Sequence, residues 1–288
     1  MGRPWAPFAV RPIQLFGTIK TNPDPSVLRK PYGRKVVREG NCLDPVRGCP
    51  FGNDGGCFGI CYSAEAMKRY HVLFGIPVPQ ILRGDLLRRD LARCGESWVR
   101  VGVNGEPSCD WDLTIRVAGI CREAGKDVVI LTRLAVPPTE EQLRRLVGTG
   151  ACLSVTVWGL DPESVWRPRL EAARRYIEVG GRAIVRLVTF AFGNQADAEN
   201  QERIAQTARE IGTVLVEQPA RVRRTSRYWP RLDTSAYTPY GAYTDPHIHR
   251  WFSAGRQIPN SLLCAGHCPS CTHKCGLYPE NMKGGDKA

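Results

Sequence analysis

Eight of the twelve cysteines in this 288-residue chain stand in two groups, and thiols grouped in that way are metal-binding chemistry. The first group is Cys42 followed by Cys49-Pro-Phe-Gly-Asn-Asp-Gly-Gly-Cys57-Phe-Gly-Ile-Cys61. Glycines at 48, 52, 55, 56 and 59 leave this backbone able to curl around a bulky inorganic centre. Cys49, Cys57 and Cys61 are enough to hold three irons of a [4Fe–4S] cube and leave the fourth open to a ligand. With Cys42 as a fourth ligand, the same group would close a tetrahedral zinc site instead. The second group, Cys264-Ala-Gly-His-Cys268-Pro-Ser-Cys271-Thr-His-Lys-Cys275, sets four thiols close enough to satisfy one centre completely. A compact run of four suits a second iron–sulfur cube better than zinc, whose ribbons divide their cysteines into two distant pairs. His267 and His273 are alternative ligands or second-layer groups. Cys94, Cys109, Cys121 and Cys152 are scattered and read as small hydrophobes.

The elements that must position these thiols are legible between the two groups. Short, near-continuously apolar runs at Trp98–Val103, Val128–Leu131, Leu153–Val157, Ala183–Val188 and Thr213–Val216 read as strands covered on both faces. Amphipathic stretches at Trp111–Glu123, Glu140–Val147, Pro162–Val179 and Ala196–Ile211 read as helices, stopped by Gly125, Gly148, Gly180 and Gly212. A strand at Lys35–Val37 and helices after Cys61 complete six strand–helix units. Right-handed crossovers would curl these into an α/β fold, a partial (β/α)6 parallel barrel. The expected organisation is an N-terminal extension (1–40), the barrel (41–225), and a C-terminal loop with a cysteine-rich metal module (226–288). Ligands of such folds sit at the carboxyl ends of the strands. That rule nominates Asn104-Gly105-Glu106, Thr132-Arg133, Trp158-Gly159, Phe190 with Asn194, and Glu217-Gln218.

A cysteine-rich loop after the first strand of a six-unit partial barrel resembles the radical S-adenosylmethionine (radical SAM) superfamily. The frame Asp44-Pro45-Val46-Arg47-Gly48-Cys49 leading to Cys61-Tyr62-Ser63 is similar to its spore photoproduct lyase-like branch and to phage gp88-like proteins. The usual spacing in that superfamily is CxxxCxxC with an aromatic before the last cysteine. Here seven residues separate Cys49 from Cys57, three separate Cys57 from Cys61, and Ile60 takes the aromatic's place. The resemblance implies that the open iron binds the amino and carboxylate groups of SAM. An electron from the cluster then breaks a carbon–sulfur bond, usually giving a 5′-deoxyadenosyl radical. It also implies an electron donor such as flavodoxin or ferredoxin. The motif Asn104-Gly105-Glu106 would meet the SAM amino group, a carboxylate being the natural partner of an ammonium. Arg133 would stand near the SAM carboxylate, with Arg186 a second candidate, and Ser154 and Thr156 would reach the ribose hydroxyls. No catalytic residue toward the substrate is singled out.

Composition bounds these readings. Apolar residues at 42%, charged residues at 24% and aromatics at 8% exclude a wholly disordered or collagen-like chain. No apolar run approaches the roughly 18 residues of a membrane span, and the N-terminal residues lack the apolar stretch of a secretory signal, so a cytoplasmic protein is expected. Forty basic residues against 28 acidic ones give a net charge of +12, which favours polyanionic partners. The densest basic segment, Arg221-Val-Arg-Arg-Thr-Ser-Arg-Tyr-Trp-Pro-Arg231, interleaves arginine with Tyr228 and Trp229, a pattern suited to nucleic acid. A solvated charged loop has the same composition. Tyr237, Tyr240, Tyr243, His247 and His249 either line a substrate mouth or anchor a long loop. A second reading of the whole is therefore a noncatalytic, metal-stabilised nucleic-acid-binding protein in which both cysteine groups are structural.

Overall fold

The apolar runs fold as strands and the amphipathic stretches as helices in this computed structural model, which describes residues 42–53, 56–61, 63, 64, 67, 73–239, 251–264 and 272–282. The strands are β1 (Cys42–Leu43), β2 (Val46–Arg47), β3 (Val78–Pro79), β4 (Trp98–Val101), β5 (Asp127–Thr132), β6 (Cys152–Trp158), β7 (Arg182–Thr189) and β8 (Val214–Pro219). The helices between them are α1 (Gly84–Arg93), α2 (Trp111–Glu123), α3 (Glu140–Gly148), α4 (Glu163–Glu178) and α5 (Gln195–Glu210). Short strands β9 (Arg221–Val222), β10 (Thr238–Pro239), β11 (Phe252–Ser253) and β12 (Leu262–Leu263) follow. The main sheet runs β1-β4-β5-β6-β7-β8-β12, and its β1–β4, β4–β5, β7–β8 and β8–β12 pairs are parallel. A seven-stranded sheet with helices between its strands is the α/β arrangement a partial barrel requires.

Local chemistry explains the helix starts. The Asp110 carboxylate accepts from Leu113 N at 2.9 Å ahead of α2. Thr139 and Gln142 form a reciprocal capping box on α3, and Asn194 Oδ1 accepts from Asp197 N at 2.9 Å on α5. Asn194 is thus the helix cap of α5. Three expectations shift. The strand expected at Trp98–Val103 stops at Val101 because Gly102 turns to a φ of 87°. Gly148 is the last residue of α3, and the left-handed glycine there is Gly150. A seventh strand, β12, pairs with β8 through Leu262↔Val216 and Leu263↔Glu217, too short to show as an apolar run. The strand expected at Lys35–Val37 lies outside the described residues, and the strand ahead of the cysteine loop is β1, which contains Cys42.

The chain clusters into two compact units that divide within β6. The first holds β1 to β5 and α1 to α3. Its strands β4 and β5 are buried along most of both faces, with Val99, Val101, Val129 and Ile130 fully enclosed. The second holds the rest of β6, then α4, β7, α5, β8 and β9 to β12. Its core packs Val157, Val185, Leu187 and Leu215 from the sheet against Trp166 and Leu170 of α4 and Ile204, Ala205 and Ala208 of α5. No helix of the described residues is long and apolar enough to cross a membrane.

Candidate metal and ligand site

In the first unit the cysteine loop is tied by its backbone to the loop that follows β4. Glu106 N donates to Gly48 O at 2.9 Å, Gly48 N to Asn104 O at 3.3 Å, and Gly48 and Gly105 form a parallel bridge. The two segments approach so closely that a Cβ on Gly105 would lie 1.8 Å from Val46 O. Cys49 N is fixed in turn by Phe74 O at 2.8 Å. Cys49, Cys57 and Cys61 are all outside any disulfide and half-buried, and Cys49 and Cys61 pack on Ala64, Met67 and Phe74. Gly56, at a φ of +78°, lets the backbone pass Cys61 where a Cβ would sit 2.2 Å from the cysteine Cβ and 3.2 Å from its sulfur. Cys42 differs from these three, being 2% exposed within β1.

Burial pushes the Cys49 thiol well up, and the Glu106 carboxylate and the neighbouring Cys57 and Cys61 push the same way. Burial also raises Cys61, against the N–H groups of Ala64 and Ser63 and the charge of Arg133. Three thiols, one carboxylate and one guanidinium therefore share a neighbourhood at the carboxyl ends of β1, β4 and β5.

Glu106 is 3% exposed and its carboxylate meets the protein itself. Oε1 accepts from Ser108 N at 3.2 Å and from the Thr132 hydroxyl, and Oε2 accepts from Arg133 N at 2.8 Å. The residue expected to face a ligand amine thus also locks the β4 and β5 loops together. Arg133 stacks its guanidinium 5.3 Å from the ring centre of Phe51, within the cysteine loop. Asn104 is buried and held twice by Asp44, whose Oδ1 accepts from Asn104 N at 2.7 Å and Oδ2 from Asn104 Nδ2 at 3.1 Å. In the sequence Asp44 stood only as the first residue of the Asp44–Cys49 frame; the strand it follows, β1, is two residues long and gave no apolar run to mark its end.

Burial raises the Asp44 carboxyl above its ordinary value, against the hydrogen bonds from Asn104 and Val103 and the charge of Arg47. A raised acid binds its proton more tightly in the folded state, so stability falls as pH climbs from the ordinary carboxylate value through the folded one. In Asp44→Asn that slope should vanish, because an amide does not titrate, while it still accepts from Asn104 N and can donate to a flipped Asn104 side chain. The check is the urea midpoint of both proteins between about pH 4 and 7. Parallel pH profiles would remove Asp44 as the source of the slope.

In the second unit, Ser154 and Thr156 alternate with Val155 and Val157 along β6, so both hydroxyls stand on the face opposite the helix-packed Val157. Ser154 is fully buried and its Oγ has no hydrogen-bond partner among the described residues. By the same alternation Arg186 lies opposite the helix-packed Val185 and Leu187, and its Nη1 donates to Gln218 Oε1 at 3.2 Å. Phe58, which follows Cys57, packs against Trp158 and Tyr228 with ring centres 5.4 and 5.3 Å apart. Glu217 does not face a ligand. Its Oε1 accepts from the Thr189 hydroxyl at 2.8 Å and Gln257 N at 2.6 Å, its Oε2 from Ile258 N at 3.1 Å and the Ser261 hydroxyl at 2.7 Å.

Cys264 directly follows β12, its N–H bound to Glu217 O at 2.7 Å. Cys275 is buried in a left-handed corner, Lys274-Cys275-Gly276, that rests on Val216 and Ile184. His273 is also buried; Nδ1 accepts from Gly276 N at 3.1 Å and Nε2 meets Leu263 O at 3.3 Å. That pattern assigns a neutral ring protonated at Nε2, with both nitrogens engaged by backbone. Cys268, Cys271, His267, Tyr240, Tyr243, His247 and His249 lie outside the described residues. Tyr237 anchors its loop, accepting from Ala191 N at 3.1 Å and packing on Trp229. Of the scattered cysteines, Cys121 and Cys152 are core residues with thiols pushed up to about 12 by burial, as expected of small hydrophobes. Cys94 and Cys109 are only half-buried.

Among the described residues, no three His, Cys, Asp or Glu side chains close on a single metal ion. No protein-family model matches the chain. No curated protein matches it. The solved structure of SuiB from Streptococcus suis is similar to this chain with a TM-score of 0.38 and 15% sequence identity, covering 45% of this chain and 31% of SuiB. The match therefore spans under a third of SuiB's length.

Proposed function

We propose that the protein is an iron–sulfur enzyme of radical SAM type, which reductively cleaves S-adenosylmethionine to modify a substrate. The observation that carries this reading is the tie between the Cys49–Cys61 loop and Asn104-Gly105-Glu106, made at the Gly48–Gly105 bridge. It gathers three soft thiol ligands beside a carboxylate and an arginine at the strand ends, where a parallel α/β fold receives its ligands. The residues fit a bulky cluster: three partly exposed thiols, and a glycine where any side chain would press on Cys61. Cys49, Cys57 and Cys61 would hold a [4Fe–4S] cluster. When bound, such a cluster supplies one electron and an open iron site.

The chain's own residues have the remaining tasks. Glu106 holds Thr132 and Arg133 in place and brings negative charge to the SAM amino group. Arg133, held over the Phe51 ring, faces the SAM carboxylate. Ser154 carries a buried hydroxyl still able to bond a ribose oxygen, with Thr156 beside it, and Arg186 is the second carboxylate candidate. Cys264, Cys268, Cys271 and Cys275 would hold a second iron–sulfur cluster, and a flavodoxin- or ferredoxin-type donor would supply the electron in the cytoplasm.

Anaerobic reconstitution with iron and sulfide should give protein that binds both and converts S-adenosylmethionine to 5′-deoxyadenosine under a strong reductant. Replacing Cys49, Cys57 and Cys61 together with alanine should abolish that cleavage and remove part of the iron. Stoichiometric zinc at this site in natively purified protein, with no cleavage after reconstitution, would overturn the proposal.

A further inference from the structure

The second unit carries a surface that the proposed chemistry does not use. From Arg221 to Leu232 the chain has five arginines and no acid, the next carboxylate being Asp233. These residues enter a three-stranded antiparallel sheet, β10-β11-β9, in which Val222 pairs with Phe252. That register sets Arg223 opposite Trp251, and its guanidinium carbon stands 4.3 Å from the Trp251 ring centre. Arg224 lies 4.6 Å over Phe252, Arg227 5.0 Å over Tyr228, and Arg231 5.9 Å from the same Tyr228 ring. Trp229 completes the aromatic cluster, 5.5 Å from Phe252 and 5.6 Å from Tyr237.

Arg231 is committed to Asp197, with Nε 2.9 Å and Nη2 2.5 Å from the carboxylate oxygens. Arg224 and Arg227 are exposed, and neither has a carboxylate partner among the described residues. A guanidinium laid on an aromatic face is held flat while its N–H edge still points outward to fork a phosphate. The flat cation is itself a platform on which a base can stack. An acidic polypeptide would need the charge alone, and the repeated pairing of planar cations with Trp251, Phe252 and Tyr228 would add nothing to its recognition.

We infer that the Arg223–Arg231 segment with Trp251 and Phe252 is a binding surface for single-stranded nucleic acid. The inference is independent of the cysteine chemistry and stands whether or not the metal site is catalytic.

The test is fluorescence anisotropy of the full chain against fluorescein-labelled single-stranded RNA and DNA of one mixed sequence, over a salt series. Arg224→Ala/Arg227→Ala should weaken binding by roughly tenfold or more and flatten the log–log salt slope by about 1.4, the loss of two phosphate contacts. Arg224→Lys/Arg227→Lys keeps the charge but not the planar fork, and should fall between wild type and the alanine variant. Circular dichroism guards against misfolding, and both sites are exposed. Binding of either strand chemistry with these losses supports the surface. The inference is overturned if neither oligonucleotide binds at physiological salt. It is overturned equally if the lysine variant matches wild type, or if polyglutamate competes as well as unlabelled strand.

Discussion

Glu217→Ala should destabilise the protein by about 3 kcal/mol or more, the largest effect expected of any single polar side chain in the second unit. The carboxylate is fully buried and gathers four donors, two of them the backbone N–H groups of Gln257 and Ile258. A methyl group leaves both without an acceptor, and each unsatisfied buried donor costs roughly 1–3 kcal/mol. The Ser261 hydroxyl is spared, since Ile258 O at 2.8 Å is an alternative acceptor. Glu217→Gln should lose less, about 1–2 kcal/mol, because one oxygen remains while its NH2 confronts donors on the other side. The measurement is the urea midpoint at unchanged slope, with hydrogen exchange at residues 257–264 showing where protection disappears. A Glu217→Ala protein within about 0.5 kcal/mol of wild type would show that the clamp contributes nothing.

Gly105→Ala should cost about 3 kcal/mol and, with it, the ability of the cysteine loop to take up iron. The added carbon would stand 1.8 Å from Val46 O, 2.8 Å from Val46 C and 3.1 Å from the Arg47 Cα, all backbone atoms that no rotamer change can move. The strands have to part, which breaks the Gly48–Gly105 bridge that fixes where Cys49 begins. Gly119→Ala is the matched control: it lies in α2 with nothing within 4 Å of its would-be Cβ, and should gain roughly 0.5–1 kcal/mol from helix propensity. If both variants load iron equally and unfold at the same urea concentration, close approach at Gly105 is not what positions the loop.

The regular elements were legible because their signals are local. Trp111–Glu123 begins and ends where its apolar periodicity and Gly125 place it, and β5, β6 and β7 extend their apolar runs by one residue at each end. The site was legible in residue types more than in roles. Glu106 and Glu217 both sit at strand ends and look alike in sequence, yet both spend their oxygens on the protein's own N–H and O–H groups. What makes either carboxylate a clamp is a partner 27 or 41 residues away, which no local pattern encodes. The arginine segment shows the same limit. Its interleaving with Tyr228 and Trp229 was visible, but Trp251 and Phe252 are brought under Arg223 and Arg224 only by the β9–β11 register.

The clamp at Glu217 also sets an order of events on the ribosome. Its donors at Gln257, Ile258 and Ser261 are made 40, 41 and 44 residues after the carboxylate itself. At roughly 5–20 residues per second, they follow it by about 2–9 seconds. For that interval β8 is an uncovered edge, the kind of surface on which nascent chains pair with one another. An acidic side chain standing on such an edge discourages that pairing until β12 arrives to cover it. The same carboxylate thus guards the growing sheet first and fastens it afterwards.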